Sequence, residues 1–169
     1  MRAVGIIVAV AAALAFQQTI LTRYIRGTVA LDLVLVAVVY VALTSGPVAG
    51  LWTGTFAGLA QDAMTTGVIG IGGLAKTLVG FLTGIVGTQF IVAQPVPRFC
   101  VFFGATVLHQ LVFIGLNTLL DLRHFGSPYA AVAGQAAGNA AVGVVAFQLA
   151  EMLPGAVERR RATKGRLRR

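Results

Sequence analysis

Long apolar stretches, interrupted by small clusters of glycine, proline and charged residues, divide the chain into segments at about 3–22, 28–45, 47–64, 68–93, 99–120 and 129–153. The runs are continuous, so they lack the apolar and polar alternation of transmembrane barrel strands. Each segment approaches the roughly 20 helical residues that cross a hydrocarbon core of about 30 Å. In lipid a helix satisfies its own backbone groups, which an isolated strand does not. The pattern therefore predicts an all-α integral membrane protein, a compact bundle of six transmembrane helices over residues 1–154, with a basic tail at 155–169.

Breaks between the segments have identifiable chemistry. Pro47 suits a first helical turn, Pro95 and Pro97 separate the fourth segment from the fifth, and Ser127-Pro128 precedes the sixth. The fourth segment is long for one straight crossing and opens with Gly67, Gly70, Gly72 and Gly73, which predicts irregular or re-entrant backbone there. At the N-terminus, Arg2, an apolar run and Ala13-Leu14-Ala15 imitate a secretory signal peptide. Gln17, Gln18 and Thr19 lead on into Ile20-Leu21, however, and favour a retained first helix.

Composition excludes an ordinary soluble domain. Of the 169 residues, 57% are hydrophobic and 11% charged, and the mean hydropathy is +0.88, whereas soluble domains carry about 25% charged residues. Cys100 is the single cysteine, so no internal disulfide forms, and no Cys/His cluster has the spacing of a structural metal site. The net charge of +8 is concentrated in Arg159, Arg160, Arg161, Lys164, Arg166, Arg168 and Arg169 against one Glu158. Arg2 and Arg98 fall on the same side under a six-span topology, so the positive-inside rule places both termini in the cytoplasm. A basic block beside a membrane helix predicts contact with anionic lipid and no role in nucleic-acid binding.

Small residues recur at helical spacing. Gly50, Gly54 and Gly58 share one face of the third segment, as do Gly80 and Gly84 in the fourth and Gly134 and Gly138 in the sixth. Such faces let helix backbones approach closely in lipid, so these glycines are candidate packing or partner-binding positions. The sparse polar residues form a second candidate set: Asp32, Asp62, Lys76, His109, Gln135 and Asn139, with Gln110 and Asn117 also in the fifth segment. Intramembrane ionisable groups face a bundle interior, a cavity or a partner. If the glycine-rich entry to the fourth segment is irregular, Lys76 lies near enough to the outer side to pair with Asp62 and fix the register of helices three and four. No nucleophile elbow, phosphate-binding loop, zinc-binding helix motif or acid/base carboxylate pair occurs, which argues for a protein that is neither an enzyme nor a cofactor binder.

The segment Asp32-Leu33-Val34-Leu35-Val36-Ala37-Val38-Val39-Tyr40, then Gly46-Pro47 with Gly50, Gly54 and Gly58, then Gln61-Asp62 and Gly70, Leu74 and Gly80, resembles the MreD family of rod shape-determining proteins. Recognisable motifs cover about residues 30–90, and Leu31 stands where the family pattern often has proline. The resemblance implies a small multi-pass component of the bacterial inner membrane without catalytic activity. It also implies MreC as the direct partner, with MreB, RodA and the penicillin-binding transpeptidase of RodA reached indirectly. The layout is similar as well to the substrate-binding membrane subunits of energy-coupling-factor vitamin transporters, a second expectation of a different class. A vitamin-binding subunit needs converging polar groups around a cavity, whereas a scaffold fills its interior and presents grooves to partner helices.

Overall fold

The computed structural model describes residues 2–17, 19, 31–65, 68–90, 94–122 and 129–166, with side chains described among them between Ile6 and Met152. Among the described residues six helices follow in order: α1 (Arg2–Phe16), α2 (Leu33–Ser45), α3 (Pro47–Ala63), α4 (Ile71–Gln89), α5 (Pro95–Leu119) and α6 (Tyr129–Arg166). All the regular structure among the described residues is helical, as the continuous apolar runs predict. α4, α5 and the Tyr129–Met152 part of α6 are long and apolar enough to cross a membrane, while α1 and α2 are shorter apolar helices.

Local chemistry sets the helix ends. Asp32 caps α2, its Oδ1 accepting from the Leu35 backbone N–H at 2.9 Å, and so satisfies one of the donors that a helix start leaves orphaned. The segment expected from residue 28 therefore begins as helix at Leu33; residues 28–30 lie outside the described set. Gly46, at φ +90°, breaks the chain between α2 and α3, a conformation open to a residue without Cβ. Pro47 then occupies the first turn of α3, where no N–H is needed. The same reasoning moves the start of α5 from the expected residue 99 to Pro95, because Pro95 and Pro97 both fit a first turn.

Of the irregular or re-entrant backbone expected at the glycine-rich entry to α4, the described residues show a short irregular stretch that ends at Gly70. Gly70, at φ +110°, turns the chain, and regular helix begins at Ile71 with Gly72 and Gly73 already inside it. Gly67 lies outside the described residues. The two helical glycines serve close approach instead: a Cβ on Gly73 meets Leu59 Cδ2 at 3.1 Å, and one on Gly72 meets the Asp62 carboxylate. At the other end of the chain, α6 continues past residue 154, so the basic segment is helical as far as Arg166.

α2 is the centre of the bundle and packs against all five other helices. Val34, Leu35, Val38, Val39, Val41 and Ala42 are buried over most of its circumference, while Leu33, Ala37, Tyr40 and Thr44 form a less buried face, so the helix is apolar on nearly every side. Its 13 residues extend about 20 Å at 1.5 Å per residue. Leu35, Val36 and Val39 join Val79 of α4, Phe102 and Ala105 of α5, and Ala140 and Phe147 of α6 in the main apolar core. α1 lies outside this core, with Val10 and Leu14 touching the Val34, Val38 and Ala57 cluster.

Candidate functional site

Two features meet at the centre of the molecule, a glycine seam between α3 and α4 and a buried polar cluster beside it. Along the seam the helices run antiparallel, with Gly50 facing Gly80, Gly54 facing Lys76 and Thr77, Gly58 facing Gly73, and Gly84 facing Pro47. A Cβ on Gly54 lands 2.9 Å from Thr77 Cα, one on Gly58 2.5 Å from Gly73 Cα, and one on Gly84 2.6 Å from Pro47 N. These are backbone atoms that cannot swing aside, so the interface admits nothing larger than glycine. Thr55 and Thr77 hydroxyls, 2.8 Å apart, bridge the same two helices. The seam thus unites Gly50, Gly54, Gly58, Gly80 and Gly84; Gly138 lies on α6 against Leu31, with half-buried Gly134 one turn before it.

The polar cluster joins four helices. Lys76 of α4 is 3% exposed, and its Nζ lies 2.9 Å from Asp32 Oδ2 and 3.2 Å from His109 Nε2 on α5. An ammonium only donates, so Nε2 accepts and the ring proton belongs on Nδ1, a buried atom without a hydrogen-bond partner. Asn139 of α6 closes the group: its Oδ1 accepts the Asp32 backbone N–H at 3.0 Å, and its Nδ2 donates to Thr106 Oγ1 at 3.3 Å. Thr106 in turn donates to the Phe102 carbonyl at 2.9 Å. The start of α2 is therefore held by side chains from α4 and α6, and α5 closes on the same lysine.

Asp62 is not the partner of Lys76. Its Oδ2 accepts backbone N–H groups of Gly70 at 2.9 Å and Gly73 at 3.0 Å, so the carboxylate of α3 caps the N-terminus of α4. A negative charge there meets orphan donors and the positive end of the helix dipole. Lys76 lies nearly a turn deeper, beside Gly54, where α2 brings Asp32 within reach. Gln135 accepts from Gln110 across the α5 and α6 interface. Asn117 donates to the carbonyl of Phe113 in its own helix.

One ion pair was not legible in the sequence. Arg98 of α5 makes two hydrogen bonds to Glu151 of α6, at 2.9 and 2.6 Å, while its guanidinium lies 4.1 Å from the Phe147 ring centroid. Arg98 reads in sequence as an orientation signal, and its partner is far along the chain.

Chemically the polar cluster binds itself. Among the described residues no group of three or more His, Cys, Asp or Glu side chains has an arrangement that holds a metal ion. Cavities of about 750 and 530 Å³ flank α1, and none of Asp32, Lys76, His109 or Asn139 lines either. The paired charges are thus closed off from both cavities and from the surface. Comparison with known proteins adds a single positive finding: a family model described as rod shape-determining protein MreD matches residues 1–147. No curated protein matches the chain, and no solved structure does.

Proposed function

The chain belongs to the MreD family of rod shape-determining proteins, and on that premise we propose that it is a non-enzymatic membrane scaffold that holds MreC. Family membership gives it a role in rod shape determination, and its apolar helices make it a membrane protein. The finer reading places it in the bacterial inner membrane as a multi-pass protein with both termini cytoplasmic. There it organises peptidoglycan synthesis by tethering MreC and, through MreC, the filament protein MreB, RodA and the transpeptidase of RodA. Its basic end rests on anionic lipid.

The family match over residues 1–147 carries this reading, and the geometry supports it. A scaffold needs a stiff frame, and the glycine seam with the Asp32, Lys76 and Asn139 contacts ties α2, α3, α4 and α6 together. The alternative role as a vitamin-binding transport subunit needs polar groups around a pocket; here those groups bond one another. Depletion of the chain from rod-shaped cells tests the proposal. Rounding of the cells, reversed by the wild-type chain, is expected; retained rods with loss of vitamin uptake would overturn it.

A further inference from the structure

We infer that the bilayer thins where α3 and α4 face lipid, so that this side of the bundle gathers phospholipids of shorter hydrophobic length than the α5 and α6 side. The inference rests on the helices crossing the membrane and is independent of MreC. One end of the bundle is level. α2 and α6 run parallel, since Asp32 meets Asn139 at 3.0 Å and, eight residues further along each helix, Tyr40 meets Phe147 with ring centroids 5.0 Å apart. About one turn on, Leu43 packs against Gly87 of α4, and Glu151 of α6 engages Arg98 of α5. The apolar belt therefore ends at one level, marked by exposed Thr44 and Ser45 of α2, exposed Thr88 and Gln89 of α4, and the ion pair of Arg98 with Glu151.

The other end is stepped. From Arg98 to Leu119, α5 rises about 32 Å at 1.5 Å per residue, and α6 rises about 33 Å from Glu151 back to Tyr129. Both match a hydrocarbon core of about 30 Å. Tyr129 is 81% exposed, and tyrosine is enriched at the boundary between membrane and water. α3 rises only about 24 Å from Pro47 to Ala63, and α4 about 26 Å from Thr88 to Ile71. The buried cluster gives the same step by a separate route. Beyond the contact of Lys76 with His109 at 3.2 Å, α4 continues about 7 Å to Ile71, whereas α5 continues about 15 Å to Leu119.

Lipid has to close this step of about 6–8 Å. Met64, Thr65, Val68 and Ile69, between α3 and α4, are non-helical and exposed, and irregular backbone facing lipid is not tolerated at hydrocarbon depth. The Asp62 carboxylate lies at the same turn, bonded to Gly70 and Gly73, and a charge inside the hydrocarbon is costly. The headgroup boundary therefore descends to the turn, the thinning by which a bilayer accommodates a short apolar stretch. Facing the thinned bilayer are Trp52 and Phe56 of α3 and Leu74, Leu78 and Phe81 of α4, all exposed.

Trp52 is the only tryptophan, so its fluorescence reports on the α3 side of the full chain in vesicles. Trp52→Phe with Leu111→Trp moves the reporter to an exposed position on α5; Trp52→Phe with Val145→Trp on α6 serves if that variant fails to fold. Each protein is quenched with dibrominated dioleoyl phosphatidylcholine, and unbrominated dimyristoleoyl, dioleoyl or dierucoyl phosphatidylcholine competes for the same annular positions. At Trp52 the short dimyristoleoyl lipid is expected to relieve quenching several-fold better than dierucoyl, and Trp52→Phe with Leu78→Trp on α4 should agree. At the α5 or α6 reporter dioleoyl phosphatidylcholine should compete at least as well as dimyristoleoyl. The same order of chain lengths at every reporter overturns the inference while leaving the crossing helices intact. Quenching at α5 or α6 without quenching at Trp52 also overturns it, because a second copy or a partner helix then covers that face. Absence of quenching at all reporters overturns the crossing itself.

Discussion

Removing one charge of the Asp32 and Lys76 pair should cost far more than removing both. The two side chains are 8% and 4% exposed and their charged atoms lie 2.9 Å apart, so neither charge has water to fall back on. Lys76→Met leaves the Asp32 carboxylate with the Leu35 N–H as its remaining side-chain partner. Asp32→Asn keeps the cap on α2, because asparagine caps about as well as aspartate, but leaves the ammonium facing His109 alone. Breaking a buried pair from one side typically costs about 3–5 kcal/mol, whereas replacing both partners is often close to neutral. Each single variant should therefore lose about 3–5 kcal/mol, and the double variant should lose less than either. Reversible unfolding in mixed detergent micelles, followed by helicity across the four proteins of the cycle, measures the coupling. Single losses below about 1 kcal/mol that simply add in the double variant would refute the reasoning, because they describe a solvated pair.

Three further outcomes follow from the same geometry. Gly54→Leu drives a side chain into the backbone of Lys76 and Thr77, and overpacking of at least about 1–3 kcal/mol should abolish the fold or the MreC association in co-purification. Unchanged recovery of MreC with both Gly54→Leu and Gly58→Leu counts against the seam. Gly104→Leu and Gly115→Leu add side chains where nothing lies within 4 Å, so their melting temperatures in detergent should stay near that of the wild type. Asp62→Ala strands the Gly70 and Gly73 N–H groups and should cost about 1–3 kcal/mol in the same unfolding assay, with Asp62→Asn restoring much of the loss; an unchanged melting curve for Asp62→Ala would mark a solvated loop carboxylate.

The helices were legible because lipid demands long uninterrupted apolar runs, and proline and glycine mark where those runs stop. Gly50, Gly54 and Gly58 announced a close-packed face through their spacing, although the opposing face, Gly73, Lys76 and Gly80, depends on how α4 registers against α3. Pairing across the bundle was less accessible. Asp62 lies nearer to Lys76 in sequence, yet Asp32 takes the lysine because the central position of α2 brings its first turn against α4. Asp62 instead finds backbone donors, which carry no side-chain signature. Arg98 and Glu151 escaped for a related reason: α5 and α6 bring them together, while each alone reads as a residue near a helix end.

Affinity purification of the full-length chain from gently solubilised membranes tests the central claim most directly. Recovery of MreC in near-stoichiometric amount, accompanied by cell-wall synthases, is the predicted result. Recovery of an ATPase-coupled transport module carrying a bound vitamin, with MreC absent, would contradict it.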